Sequence, residues 1–123
     1  MTDELMQRLA ERGHPEVRFA HGNVFQYLDD DGTRIGVLAE RAGVSKQAMA
    51  QLVTHLERHG YVERSVDPAD RRAQLIRATD RGREVFALAR EFMAEIDARL
   101  EQRLGPADKR RLRELLEALN DAL

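Results

Sequence analysis

The sequence of 123 residues contains no cysteine and no tryptophan, and few aromatic residues of any kind. The absence of cysteine excludes a disulfide scaffold, a thiolate metal site and a thiol-based redox switch from these residues. No apolar run is long enough to cross a bilayer, and the first thirteen residues are acidic and amphipathic, unlike a signal peptide. We therefore expect a soluble, cytoplasmic protein with no membrane partner and a core built mainly of Leu, Val, Ile and Ala.

Charge is distributed unevenly along the chain, although the net charge is only -2. Residues 1–32 carry a net charge of -4, residues 33–83 carry +4, and residues 84–123 carry -2. Ordinary scatter of surface charge can produce such blocks, but a basic centre is also what a phosphate backbone requires. The chain has the size of one domain, and so small and charged a domain gains buried surface by forming a homodimer.

Apolar spacing predicts two helices before the basic block. Residues 3–12 place Leu5 and Leu9 on one helical face, and we expect that helix to end at Gly13. Pro15 suits the first position of a second helix, which we predict from Glu16 to Leu28. An Asp-Asp-Asp-Gly sequence then predicts a solvated turn.

The basic block begins with the pattern of a helix-turn-helix. Thr33-Arg34 predicts a short strand, and the following helix presents Ile35, Leu38, Ala39 and Ala42 inward. Gly43 allows a sharp turn, and Ser45 is a favoured N-cap for a second helix that extends to about His59.

The second helix of this motif has two different faces. Its inward face carries Met49, Leu52, Val53 and Leu56. Its outward face carries Lys46, Gln47, Ala50, Gln51, Thr54, His55 and Arg58. Amide side chains can pair with adenine edges, cations can pair with guanine or phosphate, and small residues permit close approach. This face therefore favours contact with DNA over simple solvation.

A hairpin and two further helices are predicted after Gly60, which ends the second helix. We expect a strand at Tyr61–Arg64, a turn-rich loop at Ser65–Arg72 and a returning strand at Ala73–Ala78. Thr79-Asp80 begins a helix of about two dozen residues. Its apolar stripe is Val85, Ala89, Phe92, Ile96, Leu100 and Leu104. Gly105-Pro106 separates it from a last helix, whose apolar stripe is Leu112, Leu115, Leu116 and Leu119.

Three sequence segments resemble the MarR family of winged helix-turn-helix transcriptional regulators. They are LAERAGVSKQAMAQLVTHLERHGYVER, the wing DPADRRAQLI and the T-x-x-G of TDRG, all within residues 34–86. The resemblance implies a mainly α fold in one domain. Residues 1–32 would form N-terminal supporting helices, residues 33–79 the winged DNA-binding region, and residues 80–123 the C-terminal dimerisation helices.

The function implied by the resemblance is that of a homodimeric regulator, most often a repressor, on an inverted-repeat operator in double-stranded DNA. The implied DNA-binding residues are Arg34, Ser45, Lys46, Gln47, Ala48, Gln51, Thr54, His55, Arg64, Asp70, Arg71 and Arg72. Arg72 would enter the minor groove, Arg71 would meet phosphate, and Asp70 would brace the wing through a salt bridge with Arg72 or a neighbouring cation.

The resemblance also implies release from DNA by a small aromatic or anionic effector. A pocket for it would draw on Arg18, His21 and Phe25. The alternative is that Phe25 belongs to the core while Arg18 and His21 are surface or dimer contacts.

Other classes of function find little support in the residues. No nucleophile–base set or phosphate loop indicates an enzyme, and no cofactor is predicted. His55 and His59 have a spacing that can hold a metal, but only Glu63 or a partner residue could complete the site, so we predict no metal. The remaining alternative is a dimeric winged helix that binds a protein instead of DNA; it would require an apolar outward face on the second helix.

Overall fold

The computed structural model describes residues 2–123, with side chains from residue 3 onward, and divides into two compact units that meet at Ala89/Arg90. The helices are α1 (Thr2–Glu11), α2 (Gly22–Phe25), α3 (Ile35–Ala42), α4 (Lys46–Arg58) and α5 (Asp80–Ala122), with a 3-10 helix at Phe19–His21. The strands are β1 (Thr33–Arg34), β2 (Val62–Asp67) and β3 (Asp70–Ala78). They form one antiparallel sheet in the order β1-β3-β2. Within the described residues, no helix is both long and apolar enough to span a membrane.

The segment between α1 and β1 differs from our prediction. The helix expected from Glu16 to Leu28 is wrong: only the 3-10 helix and α2 form, and Arg18 is extended, with φ -112° and ψ 164°. Polar side chains of this segment bind distant residues instead. Nδ1 of His14 lies 3.1 Å from the Tyr61 hydroxyl, which donates to Oε2 of Glu16 at 2.7 Å. These long-range bonds hold the backbone out of helical geometry after Pro15.

The helix-turn-helix agrees with the sequence prediction. Gly43 has φ 70° and ψ 29°, the left-handed conformation that glycine adopts with little cost. Ser45 caps α4, since its Oγ accepts a hydrogen bond from the amide of Ala48 at 3.0 Å. Met49 and Val53 are fully buried on the inward face. The cap fixes where α4 begins, and the apolar face packs α4 into the core of the first unit.

The wing is more regular than predicted. We expected a loop from Ser65 to Arg72, but β2 extends to Asp67 and β3 begins at Asp70. Asp67 pairs with Asp70 across a turn of Pro68 and Ala69, with a register irregularity next to Val66. Cross-strand hydrogen bonding therefore overrides the turn propensity of most of the predicted loop.

The start of α5 is anchored by the T-x-x-G sequence. Oγ1 of Thr79 donates to the carbonyl of Gly60 at 2.5 Å and accepts from the amide of Gly82 at 3.2 Å. A Cβ at Gly82 would lie 2.1 Å from the carbonyl oxygen of Tyr61. Only glycine permits this close approach of the helix to the chain that leaves α4.

The core of the first unit joins its helices to the sheet. Its buried members are Leu9, Val17, Val24, Phe25, Leu38, Ala39, Met49, Val53, Leu56, Tyr61, Val62, Ile76 and Val85. They come from the helices, from β2 and β3, and from the connecting residues Val17 and Tyr61. Within this unit α4 packs against α3, α2, the 3-10 helix and β2.

The second unit contains the predicted helix break. Gly105 has φ 81° and ψ 162°, and Pro106 follows it. Nζ of Lys109, beyond the break, lies 2.6 Å from Oδ2 of Asp97 and 3.5 Å from Oε2 of Glu101. The hydrogen bond to Asp97 raises the pKa of Lys109. The leucines after the break are solvent-exposed by these fractions: Leu112 37%, Leu115 52%, Leu116 56% and Leu119 57%.

Candidate nucleic-acid interface

A cationic cleft lies between α3, the start of α4 and the wing. It has a volume of about 580 Å³ and is lined by four cations, Arg34, Lys46, Arg64 and Arg72, and by one carboxylate, Glu40. The sequence placed these four cations among the site residues. Gln74 of β3 also lines the cleft, but alternation along a strand could not show which face was inward without the register.

The outward face of α4 forms a second, shallower cleft of about 460 Å³. Its lining is Gln47, Ala50, Gln51, Thr54, His55 and Arg58. Gln47, Gln51 and Thr54 are exposed, as is Ser45 at the N-cap, whereas Ala48 is partly buried. The polar groups predicted to meet base edges thus share one accessible face.

The wing carries an exposed arginine, Arg72, which forms a salt bridge with Asp70 of the same strand. The side chain of Arg72 is 92% exposed, and its Nε lies 3.3 Å from Oδ1 of Asp70. The same oxygen accepts from the backbone amide of Arg72 at 3.1 Å. The brace expected between these residues is present, and it orients a side chain that is otherwise solvated. Arg71 is also exposed.

A second ion pair joins the wing to β1. Nε and Nη2 of Arg34 lie 2.8 and 2.7 Å from Oδ2 of Asp67, while Oδ1 of Asp67 accepts from the amide of Ala69 at 2.9 Å. The bond from Ala69, and then that from Arg34, lowers the pKa of Asp67. The sequence analysis missed Asp67, because its role depends on β1 and β2 flanking the same strand.

Arg64 links the wing to α4. Its Nε lies 3.1 Å from Oε1 of Glu57, and its Nη2 donates to Oγ1 of Thr54 at 3.2 Å. Two predicted contact residues, Thr54 and Arg64, therefore bind each other here. Their bond ties β2 to the exposed side of the helix.

His55 lies at the edge of this face and is directed away from it. Nε2 of its ring is 2.9 Å from the carbonyl oxygen of Glu16, and its ring stacks on His21. A carbonyl only accepts, so this nitrogen carries the proton and is already engaged. A phosphate contact by His55 stays a prediction and forms no part of the proposal below.

The effector residues predicted from the sequence lie between α1 and β1, in residues 12–32, which we call the supporting segment. His21 and Phe25 are only 4% and 8% exposed, and Arg18 donates to the carbonyl of Pro15 at 2.8 Å. Burial, followed by the charges of His55, Arg18 and His59, lowers the pKa of His21 to about 4. A ligand would have to displace packed side chains to reach His21 or Phe25.

The spacing of His55 and His59 does not produce a metal cluster. Their ring centroids are 4.7 Å apart, and Nδ1 of His59 lies 4.0 Å from Oε1 of Glu16. Among the residues that the structure describes, no group of three or more histidines and carboxylates is arranged to hold a metal ion.

Comparison with known proteins agrees with this geometry. The MarR family sequence profile matches residues 17–73, which include the helix-turn-helix and the first part of the wing. This part of the chain is therefore similar to MarR-family regulators. An HTH-type transcriptional regulator of Bacillus subtilis (strain 168), YfiV, is 30% identical over 102 residues. The aligned region is 81% of this chain and 63% of YfiV, so the chain spans less than two thirds of that relative.

Solved structures of similar fold include a transcriptional regulator and a protein bound to DNA. The transcriptional regulator Tm0710 of Thermotoga maritima is 28% identical with a TM-score of 0.65, over 98% of this chain and 84% of that one. MepR of S. aureus, in a complex with DNA, is 19% identical with a TM-score of 0.79, over 99% of this chain and 89% of that one. The second likeness concerns the fold alone.

Proposed function

We propose that this protein is a sequence-specific regulator of transcription that binds double-stranded DNA. The observation that carries the proposal is the continuity of cations and amides from the exposed face of α4 to Arg72 of the wing. The similarity to the HTH-type regulator YfiV supports the proposal, and in the MepR complex a protein of this fold is bound to DNA.

In the proposed complex, α4 lies in the major groove. Gln47, Gln51 and Lys46 would meet base edges, where amides read adenine and cations read guanine. Arg72 would enter the adjacent minor groove, whose width depends on sequence and whose negative potential favours a guanidinium. The remaining cations would neutralise phosphates and fix the register of the protein on the duplex.

We further propose that the operator is an inverted repeat bound by a homodimer. Two winged helices related by a two-fold axis would place their α4 helices roughly 34 Å apart, matching half-sites about 10 bp from centre to centre. The exposed leucines beyond Gly105 supply an apolar surface that a second copy would cover. A dimer fixed on an operator would act as a repressor by blocking access to the promoter.

Effector release through Arg18, His21 and Phe25 remains a prediction. It would require ligand binding to favour one spacing of the two α4 helices over another, which is an allosteric coupling between sites. The burial of His21 and Phe25 means that such a ligand must open the supporting segment. A chemical-shift titration with salicylate-like anions, followed at these residues, is the direct measurement.

The alternative, a winged helix that binds a protein partner, is less favoured. Such a surface should expose an apolar patch on α4, and the exposed residues of that face are instead polar or cationic. We therefore retain DNA as the proposed partner.

Selection of bound sequences from a random duplex pool tests the proposed function. The expected outcome is an enriched inverted repeat with half-sites about one helical turn apart, bound with an affinity that falls steeply with salt. A pool that shows no enrichment at any salt concentration would contradict the proposal. Enrichment of single half-sites would contradict only the homodimer.

A further inference from the structure

The four histidines of the chain lie on two segments. His14 and His21 lie in residues 14–21, whereas His55 and His59 lie in the C-terminal part and at the cap of α4, the proposed recognition helix. The ring of His21 stacks on that of His55, with centroids 4.5 Å apart and planes within 8°. The ring centroids of His55 and His59 are 4.7 Å apart, and Nδ1 of His14 contacts the Tyr61 hydroxyl. The His21–His55 stack is thus a direct contact between the supporting segment and α4.

The hydrogen bonds fix which ring nitrogens carry protons. Nδ1 of His21 accepts from the backbone amide of Arg18 at 2.7 Å, so it holds no proton in this arrangement. Nε2 of His55 faces the carbonyl of Glu16 and therefore donates. Protonation of His21 at Nδ1 would replace an accepted hydrogen bond with two opposed N–H groups. The observed arrangement, in which residues 14–21 pack against α4 and which we call closed, therefore requires a neutral His21.

The charges around His21 also oppose a second proton. The groups that face it are Arg18 from its own segment, and His55 and His59 from α4. The carboxylate of Glu16 is bound by Tyr61 and Arg81, at 2.7 and 3.3 Å from its Oε2. Those contacts, with the bond from Tyr61 first, lower the pKa of Glu16, so it stays ionised, and its Oε1 lies 4.0 Å from Nδ1 of His59.

The fourth histidine belongs to the other side of the cluster. His14 is buried, and its Nε2 has no hydrogen-bond partner, although Oε2 of Glu84 on α5 lies 3.5 Å away. Glu84 faces His14 and therefore does not compensate a charge on His21. The imidazole of His21 is consequently the group whose protonation the closed arrangement resists.

We propose that the His21–His55 stack is an acid-sensitive latch, which holds residues 14–21 against the recognition helix at neutral pH and releases them at mildly acid pH. The inference rests on the proposed function for its consequence: release removes the support behind α4 and weakens DNA binding. The latch itself depends only on the contacts within the first unit.

The pH range of the latch follows from the two states of His21. In the closed state its pKa is about 4, whereas in an open segment it returns to the ordinary value near 6.5. The open state therefore binds the proton first, and the closed state loses stability as pH falls from about 6.5 towards about 4. At pH 5 the ratio of open to closed molecules rises by up to about 30-fold over its value above pH 7.

The test compares His21→Asn with His59→Gln in the full chain. Asparagine places Oδ1 near the position of Nδ1, so it can still accept from Arg18 but does not titrate. His59→Gln is the matched control, because it removes a neighbouring imidazole and leaves the stack intact. Duplex affinity is measured at pH 7.5 and at pH 5.0, with a selected operator.

From pH 7.5 to pH 5.0, we expect the duplex affinity of wild type and of His59→Gln to fall by a factor at least three times larger than that of His21→Asn. Equal losses in all three proteins would overturn the latch. Absence of binding by wild type at pH 7.5 would instead contradict the proposed function.

A second measurement keeps the latch testable without DNA and without a folded variant. A pH titration of the imidazole NMR signals of the wild type should show that His21 remains neutral to about pH 5, where amide exchange of residues 16–22 accelerates. A His21 signal that titrates near its ordinary value, with no change in exchange, would overturn the latch whatever the DNA measurements show.

Discussion

Arg34 and Asp67 connect the strand before the helix-turn-helix to the turn of the wing. Two nitrogens of the guanidinium lie within 2.8 Å of one carboxylate oxygen, and the second oxygen accepts from the amide of Ala69. The pair therefore sets where the wing stands relative to α3 and α4. An arginine predicted to contact DNA directly therefore has a structural role as well.

Replacing Asp67 by asparagine should reduce operator affinity by about fivefold, an expected loss of about 1 kcal/mol for one charge-assisted contact. Asparagine can still accept from Ala69 through Oδ1, so the turn should survive while the ion pair is lost. Fluorescence anisotropy with a labelled duplex measures the change. Asp31→Asn, an exposed carboxylate in the loop before β1, is the control for net charge and should bind slightly more tightly or equally. An Asp67→Asn affinity no lower than that of Asp31→Asn would argue against this role of the ion pair.

Arg72→Ala should weaken operator binding by about tenfold and reduce the salt dependence, because the substitution removes a cation that the proposed complex places in the minor groove. The side chain is 92% exposed, so stability should be almost unchanged. A mobility-shift titration at two salt concentrations measures both quantities. Arg77→Ala, an exposed arginine on the same strand outside the cleft, should have a smaller effect. If the two variants behave alike, the wing assignment fails.

Gly82→Ala should destabilise the first unit by about 3 kcal/mol, since the new methyl group would meet the Tyr61 carbonyl at 2.1 Å and the backbone must shift. Gly36→Ala is the matched control: its Cβ meets nothing within 4 Å, and alanine in a helix should stabilise by up to about 1 kcal/mol. Urea unfolding followed by circular dichroism gives both values. A Gly82→Ala variant as stable as wild type would show that α5 can move away from Tyr61 without cost.

Leu115→Asp combined with Leu119→Asp should convert the proposed homodimer to monomers. These side chains are 52% and 57% exposed in the single chain, and a charge at either position would have to be buried in a dimer. Sedimentation equilibrium measures the mass. Glu117→Ala, on the opposite side of the same helix, should leave the association unchanged. A double variant that sediments as wild type would place the dimer contact elsewhere.

Stability should also depend on pH through His21. Its folded pKa lies below the ordinary value, so its contribution is complete above about pH 6.5 and declines as pH falls towards about 4. At 1.36 kcal/mol per pKa unit, the loss from this group is at most about 3.4 kcal/mol. Urea midpoints between pH 7.5 and pH 4.5 should fall less in His21→Asn than in wild type. Parallel curves would assign the acid sensitivity to other groups.

The parts of the fold that the sequence predicted well are those determined by local pattern. Gly43 and Gly60 end the two helices of the helix-turn-helix with positive φ, and Ser45 begins the second one as its N-cap. These conformations follow from the missing side chain of glycine and from the hydroxyl of serine. The break at Gly105 is equally local. The helical periodicity of α4 separates its buried side from its exposed side without knowledge of any partner.

The failures lie where distant residues decide the conformation. Residues 16–28 have the apolar pattern of one continuous helix, but bonds from His14 and Glu16 to Tyr61 interrupt it, and only the short helices at Phe19–His21 and Gly22–Phe25 form. The partner Tyr61 is more than 40 residues away. His55 has the spacing of an exposed residue, yet the Glu16 carbonyl and the His21 ring draw it inward. Hydrophobic periodicity carries no information about such polar pairings.

The two-residue turn of the wing limits how this surface can change its reach. β2 and β3 share one register from Val62↔Ala78 to Val66↔Gln74, and after the irregularity next to Val66 the hairpin closes with Asp67 paired to Asp70. Side chains alternate between the faces of a strand, and one extra residue in each strand would therefore turn the tip side chains to the opposite face. Only two extra residues in each strand preserve the orientation. A longer wing that kept its tip orientation would thus extend in steps of about 7 Å, the rise of two extended residues.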